Sequence, residues 1–264
     1  MATSITNTSV TTDNLTVDTN TLYVDSTNNR VGVNTTNPGS TLEINGAAQV
    51  TGNALTVSDA GFNSRINLFN TGSGGSNFSI YSTMSSFGQG ANTFLLYSPN
   101  ATAGIIKAHE DGYVHMTYQP RFSSYNNNAG DFTVNGNSKI TCFTGTSINV
   151  GSNYNTSNQR FTAPVAGCYF FGAHFRMGAP GSIRVFRAEL RKNGSYVTDL
   201  CSCGGNNNYD GGSGYDHPPA VGTHIMDLNA NDYIELYTSS ELSSSNTLYI
   251  QTGTRSRFFG YLLY

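Results

Sequence analysis

Tryptophan is absent from this chain, charged residues are scarce, and no long apolar run occurs. The 264 residues carry 13 Lys+Arg against 16 Asp+Glu, a net charge of −3. Such a balance leaves no electrostatic footprint for nucleic acid, which is not an expected partner. The charge split along the chain is mild: residues 1–116 hold 3 basic and 7 acidic groups, and residues 117–264 hold 10 and 9. No stretch approaches the roughly 20 apolar residues of a membrane span, so insertion into a bilayer is not expected. The start, Met1-Ala-Thr-Ser-Ile-Thr-Asn-Thr8, lacks the basic and apolar segments of a secretory leader. A soluble protein is expected, one that leaves its cell, if at all, by another route. Cysteine is sparse, with Cys142, Cys168, Cys201 and Cys203 only, and without a leader no disulfide framework is expected. Cys168 stands in an apolar segment and reads as a small buried hydrophobe.

Chemistry-bearing patterns are equally thin. Cys201-Ser-Cys203 would need further ligands to hold a metal, and only His217 lies near. His109, His115, His174, His217 and His224 form no His-x-His pair, and no Asp-x-Asp-x-Asp calcium loop occurs. No cofactor or metal is expected. No Gly-x-Ser-x-Gly elbow stands between strand and helix. Gly72-Ser-Gly-Gly-Ser76 lacks the following Lys-Ser/Thr of a phosphate loop. No coil repeat supports a carboxylate-pair depolymerase. The chain is therefore not expected to be an enzyme.

Helical periodicity is missing too. Segments of four to nine β-branched and aromatic residues alternate with Gly, Asn and Ser clusters, which predicts an all-β fold. The 16 Tyr and 15 Phe suit pleated, half-buried surfaces. Three regions are expected. Residues 1–58 read as a thin stalk, with strands at 15–18, 21–25, 30–33, 41–46, 49–50 and 54–57, and turns at Ser26–Asn29 and Asn34–Gly39. These strands are too few to bury a core within one chain, whereas three chains wound together could share one. Residues 59–116 read as a small β module, with strands at 65–69, 77–81, 93–97, 104–108 and 113–116. Residues 117–264 read as a head, with strands at 133–134, 139–143, 161–162, 167–175, 183–192, 195–199, 221–228, 233–238, 249–251 and 257–263. Asn193-Gly194 predicts a type I′ hairpin.

Four motifs in the head agree in order and strand context. They are Asn158-Gln-Arg-Phe-Thr-Ala-Pro-Val-Ala-Gly-Cys-Tyr-Phe-Phe-Gly172, Leu190-Arg-Lys-Asn-Gly194, Leu228-Asn-Ala-Asn-Asp-Tyr-Ile-Glu-Leu236 and Phe258-Phe-Gly-Tyr-Leu-Leu263. This set resembles the C1q/TNF-like jelly roll over about residues 117–264. The resemblance implies a threefold assembly that binds partners rather than breaks bonds, with Phe161 and Tyr169 as core residues. Gly260 is expected to admit a neighbouring backbone or ring. One face of the 167–175 strand should meet its own sandwich and the other a trimer seam, and His174, which alternates within it, reads as a core or seam histidine. The stalk segment Leu22-Tyr-Val-Asp-Ser-Thr-Asn-Asn-Arg-Val-Gly-Val33, with Asn37-Pro38 and Leu42-Glu-Ile-Asn-Gly46, resembles a segment common in phage tail fibres. Asn34 stands where that pattern often has Gly.

A long Gly-rich loop, Gly204-Gly-Asn-Asn-Asn-Tyr-Asp-Gly-Gly-Ser-Gly-Tyr-Asp-His-Pro-Pro219, carries the vocabulary of adaptable binding loops. Tyr209, Asp210, Tyr215, Asp216 and His217 are the candidate ligand-binding residues. Asn126–Gly130 and Gly151–Ser157 are read as further loops of the same kind. Together the two resemblances imply a homotrimeric virion fibre whose head adheres to a host surface glycan or protein, and whose N-terminal region joins other virion proteins. The alternative is a capsid, collar or tail decoration that docks onto another virion protein.

Overall fold

The computed structural model describes residues 14–17, 21–48, 57–58, 64–83, 92–99, 103–134, 136–178, 183–203, 220–239, 241–242 and 248–264. The described residues form strands and turns without a helix, as the sequence predicts. They divide into two compact units, residues 1–61 and 62–264.

The first unit holds one sheet in the order β1 (Asn14–Val17), β2 (Leu22–Asp25), β3 (Arg30–Val33) and β4 (Leu42–Ile44). The β2–β3 turn closes because Asp25 accepts from the Asn28 backbone N–H at 3.1 Å and its side-chain amide at 2.8 Å, while Asn29 takes a φ of 55°. Asn34 takes a φ of 61° and donates to the Asn45 carbonyl at 2.8 Å. A positive φ suits Asn at that position, as it would Gly. The 34–41 segment then folds back so that β4 runs parallel to β3, fixed by Arg30 Nη1 donating to the Pro38 carbonyl at 2.8 Å. A Cβ on Gly32 would lie 2.3 Å from the Thr35 carbonyl oxygen, so this return needs glycine. Between residues 21 and 48 only Gly32 and Pro38 are buried. The sheet thus has no apolar core of its own among the described residues. The expected strands at 49–50 and 54–57 lie outside the described residues, apart from Val57, which is not in a strand.

The second unit opens with a five-stranded antiparallel meander: β5 (Ser64–Leu68), β6 (Phe78–Ser82), β7 (Thr93–Ser98), β8 (Ala103–His109) and β9 (Val114–Met116). Four residues later the jelly roll begins. Its strands are β10 (Arg121–Asn126), β11 (Phe132–Val134), β12 (Gly145–Val150), β13 (Tyr154–Asn155), β14 (Arg160–Thr162), β15 (Gly167–Phe175), β16 (Met177–Gly178), β17 (Ile183–Lys192), β18 (Ser195–Cys203), β19 (Ala220–Leu228), β20 (Tyr233–Thr238), β21 (Glu241–Leu242), β22 (Leu248–Ile250) and β23 (Gly253–Leu262). One layer has the order β12-β10-β23-β15-β19 and the other β13-β14-β20-β17-β18; a small β11-β22-β16 sheet accompanies them.

The core between the layers is aromatic. Phe122 lies 4.7 Å from Tyr154, 5.0 Å from Phe161 and 5.0 Å from Phe258, and Phe161 stands edge-on to Tyr169 at 5.6 Å. Phe161 and Tyr169 are fully buried, as expected. Tyr169 Oη donates to the Val165 carbonyl at 2.8 Å, which locks the Pro164–Gly167 corner. A Cβ on Gly260 would meet the Phe171 ring at 2.6 Å, as the expected close approach requires. Asn193 and Gly194 take φ values of 52° and 82°, the type I′ geometry, between β17 and β18.

Some expectations fail here. Residues 139–143 are not a strand: Lys139 makes a single bridge to Tyr237, and Ile140, Cys142 and Phe143 turn inward to fill the core. The strands β10 and β12 are missing from the sequence reading. Asn126 is not a loop residue but fully buried, donating to the Ile250 carbonyl at 3.1 Å. Gly151–Ser157 is a structural corner. Tyr154 is buried, donates to the Phe143 carbonyl at 3.1 Å, and is clamped through its main chain by both ends of the Asn149 amide.

Candidate interaction surfaces

Alternation along each strand sends one side chain inward and the next outward, so each layer of the head has an outer face. On the β12-β10-β23-β15-β19 layer, the register lines up Val221, His174, Arg257 and Tyr125 in one row. The next row is Thr223, Gly172, Phe259, Ser123 and Ile148, and the third is Ile225, Phe170, Tyr261, Arg121 and Val150. The Phe259 ring lies over Gly172, where a Cβ would come within 2.5 Å of it. Phe170 packs against Tyr261 at 5.2 Å and Phe259 at 6.4 Å. Val221 and Ile225 remain 62% and 56% exposed. The centre of the face is thus an aromatic and aliphatic surface that a single chain leaves open, with Arg121 and Arg257 towards the β10 side. His174 is half-buried at its margin; burial and then the neighbouring Arg257 charge hold its imidazole below the usual range, against a backbone hydrogen bond to Arg255. The register puts His174, expected in the core or at the seam, in the outward row of this face.

The outer face of the β13-β14-β20-β17-β18 layer has the opposite chemistry. Glu235 on β20 is 1% exposed and is held by Lys139 Nζ at 2.5 Å and Arg160 Nε at 2.9 Å. Burial opposes its ionisation, but the hydrogen bonds and charges of Lys139 and Arg160 outweigh it, and the carboxyl titrates below its ordinary range. Arg160 also stacks on Tyr233 at 4.0 Å, and Arg191 on Tyr237 at 3.9 Å. Arg191 pairs with Glu189 at 2.7 Å and Arg187 with Asp199 at 3.7 Å. Lys139, Arg160, Arg187 and Arg191 thus each have an acid or a ring beside them, a surface suited to water.

The candidate ligand-binding residues Tyr209, Asp210, Tyr215, Asp216 and His217 lie outside the described residues. Their flanking strands are described. β18 and β19 belong to different layers yet touch: a Cβ on Gly222 would fall 1.6 Å from the Leu200 carbonyl oxygen. Gly222 therefore joins the layers beside the 204–219 segment, whose ends are set by Cys203 and Ala220. Burial pushes the thiols of Cys142 and Cys201 up to about 12 and raises Cys203, so all three stay protonated at neutral pH.

A family model described as the C1q domain matches residues 122–263. Among solved structures, the globular domain of a zebrafish complement 1qA protein matches with a TM-score of 0.38 and 16% identity, over 55% of this chain and 98% of its own. The Eiger TNF structure from S. frugiperda matches with a TM-score of 0.43 and 10% identity, over 55% of this chain and 93% of its own. No curated protein matches the chain.

Proposed function

The chain belongs to the C1q-domain family, and from that premise we propose that it is a homotrimeric virion fibre protein of a tailed phage, whose head adheres to a host cell-surface glycan or protein. C1q-like domains commonly form trimers and mediate binding. The observation that carries the reading is the sheet of residues 14–44, whose described side chains find no apolar core within one chain. Such a sheet ahead of a trimerising head suits a stalk built from three chains, because closed cyclic symmetry shares a core without leaving open ends. The resemblance of residues 22–46 to fibre segments adds to it.

The open apolar face of the head layer around Phe170, Phe259 and Ile225 would form the seam between copies. Adhesion would then fall to the loops that the trimer displays. Residues 204–219, with Tyr209, Asp210, Tyr215, Asp216 and His217, supply aromatic area and hydrogen bonds. Three weak contacts per head, repeated over several fibres, hold a cell without one tight site. The N-terminal region would join other virion proteins.

The test is binding of labelled full-length protein to a panel of bacterial cells, beside a variant lacking residues 204–216. Selective adhesion that disappears in the shortened protein, with three-chain mass retained, supports the reading. Adhesion that survives the deletion moves the contact to another loop. No adhesion to any strain, with tight capture by purified virion proteins instead, favours a decoration that docks within the particle.

A further inference from the structure

We propose that the apolar face of the β5–β9 sheet is closed by the same face of two further copies of this chain, so that three sheets form a closed prism ahead of the heads. This rests on the threefold assembly proposed above. The register of the meander sorts its residues into two unlike faces. Ile66, Ile80, Leu96, Ile106 and Met116 form one unbroken row across all five strands. Leu68 and Phe78 extend it on one side, and Phe94, Ala108 and Val114 on the other. Within the chain this face is open: Leu68, Phe94, Val114 and Met116 are 52%, 56%, 64% and 48% exposed.

The other face shelters itself. Leu95 is fully buried beside Gly104, where a Cβ would come within 2.0 Å of its Cδ1, and Tyr81 meets Tyr97 edge-on at 5.6 Å. Arg65, Lys107 and His115 all belong to that side by register. No charged residue stands on the apolar face among the described positions. A glycan or charged ligand would find nothing there to bond, while another apolar sheet would.

Size and tethering decide which apolar partner fits. Strands about 4.8 Å apart and about 3.3 Å per residue give a face of roughly 300 Å². That is well short of the about 800 Å² per partner that stable free association requires. A separate protein would therefore bind this face poorly. A copy already held at the head needs far less, because tethering supplies a high local concentration. The tether is short and fixed at both ends. Thr117 Oγ1 donates to the Gly104 carbonyl at 2.7 Å on the module side. On the head side, Gln119 Nε2 donates to the Leu262 carbonyl at 2.5 Å and Leu262 N–H to the Pro120 carbonyl at 2.9 Å. Residues 117–120 can span at most about 14 Å, so heads joined at their β10–β23 layer bring three modules within reach.

The test uses neighbouring reporters in the full chain, Met116→Cys on the apolar face and His115→Cys on the polar one. Both positions are exposed in a single chain. Alkylation by iodoacetamide is followed at each site by mass spectrometry, with molar mass from light scattering in parallel. The expected result is a particle of three times the 28.3 kDa chain mass, in which Met116→Cys reacts at least about tenfold slower than His115→Cys. Adding Ile225→Asp, a surface change on the head layer, should give single chains in which the two rates converge. Equal rates in a three-chain particle overturn the prism and leave the trimeric head standing. Slow alkylation that persists in single chains also overturns it, since the cover then comes from the same chain. A single-chain mass without Ile225→Asp overturns the trimer and the prism together.

Discussion

The two outer faces of the jelly roll are built on the same alternation and end with opposite chemistry. On β15 and β23 the outward positions include Phe170, Phe259 and Tyr261, ring against ring, with aliphatic Val221 and Ile225 beside them and His174 and Arg257 at the margin. On β20 and β17 they are Tyr233, Glu235, Tyr237, Glu189 and Arg191, laced by ion pairs and Arg–Tyr stacks. Both faces carry tyrosine, so aromatic content does not separate them. What separates them is the centre of each face: Phe170, Phe259 and Tyr261 pack ring against ring, and Arg257 reaches only the marginal Tyr125 ring, at 5.8 Å. Tyr233 and Tyr237 are roofed by Arg160 and Arg191, and need no further partner. The Phe170 face is left for a surface of like polarity, which the proposed trimer supplies.

The largest expected effect comes from turning the apolar face into a charged one. Ile225→Asp would place a carboxylate from each copy in the proposed seam, and dissociation of the trimer should become at least about 100-fold easier. Analytical ultracentrifugation across a dilution series reads this, and an unchanged association constant would move the seam elsewhere. A middle effect is expected on the ion-paired face. Glu235→Gln keeps the shape but leaves Lys139 and Arg160 without their anion, at a cost of about 1–3 kcal/mol in urea unfolding and with no change in mass.

The same carboxylate predicts a pH dependence. Its folded pKa is lowered, so its contribution is present above the ordinary value of 4.5 and fades as pH falls through the lowered value. Urea midpoints of the native protein should therefore drop through that acid window more steeply than those of Glu235→Gln. Matching slopes would show that Glu235 is not the group responsible. The smallest effect belongs to Arg191→Ala. It removes a partly exposed pair and one stack, and should cost under about 1 kcal/mol, visible as a small Tm shift by calorimetry.

Much of this contrast was legible in the sequence. The run Gly167–Phe175 reads as a strand with two interested faces because apolar residues occupy both parities. Asn193-Gly194 announces its turn because a type I′ hairpin needs positive φ, which Asn193 and Gly194 adopt. The strands β10 and β12 were not legible. Arg121-Phe-Ser-Ser-Tyr-Asn126 looks polar, yet Ser124 and Asn126 are fully buried. Ser124 Oγ lies 3.0 Å from the Phe143 carbonyl and 2.7 Å from that of Gly145, so burial costs it little. Gly151–Ser157 is largely the expected loop, and what its composition does not disclose is that Asn149 and Tyr154 hold its corner. Residues 139–143 have strand composition but serve as an inward plug. The candidate residues of the 204–219 segment lie outside the described residues, and their role remains part of the proposed function.

The last strand of the chain has a consequence for synthesis. β23 is not at an edge; it lies between β10 and β15, and Phe258 touches Phe122, Tyr154 and Phe171 across the interior. Its partner β10 leaves the ribosome more than a hundred residues earlier. Until Gly253–Leu262 has been translated, β10 and β15 have no neighbour to join them, and the head waits with its central slot empty. The strands of residues 14–116 are made before the head, and the strand that closes the head follows its other strands. In the proposed trimer, pairing among chains through this layer would therefore begin only once Gly253–Leu262 has been made.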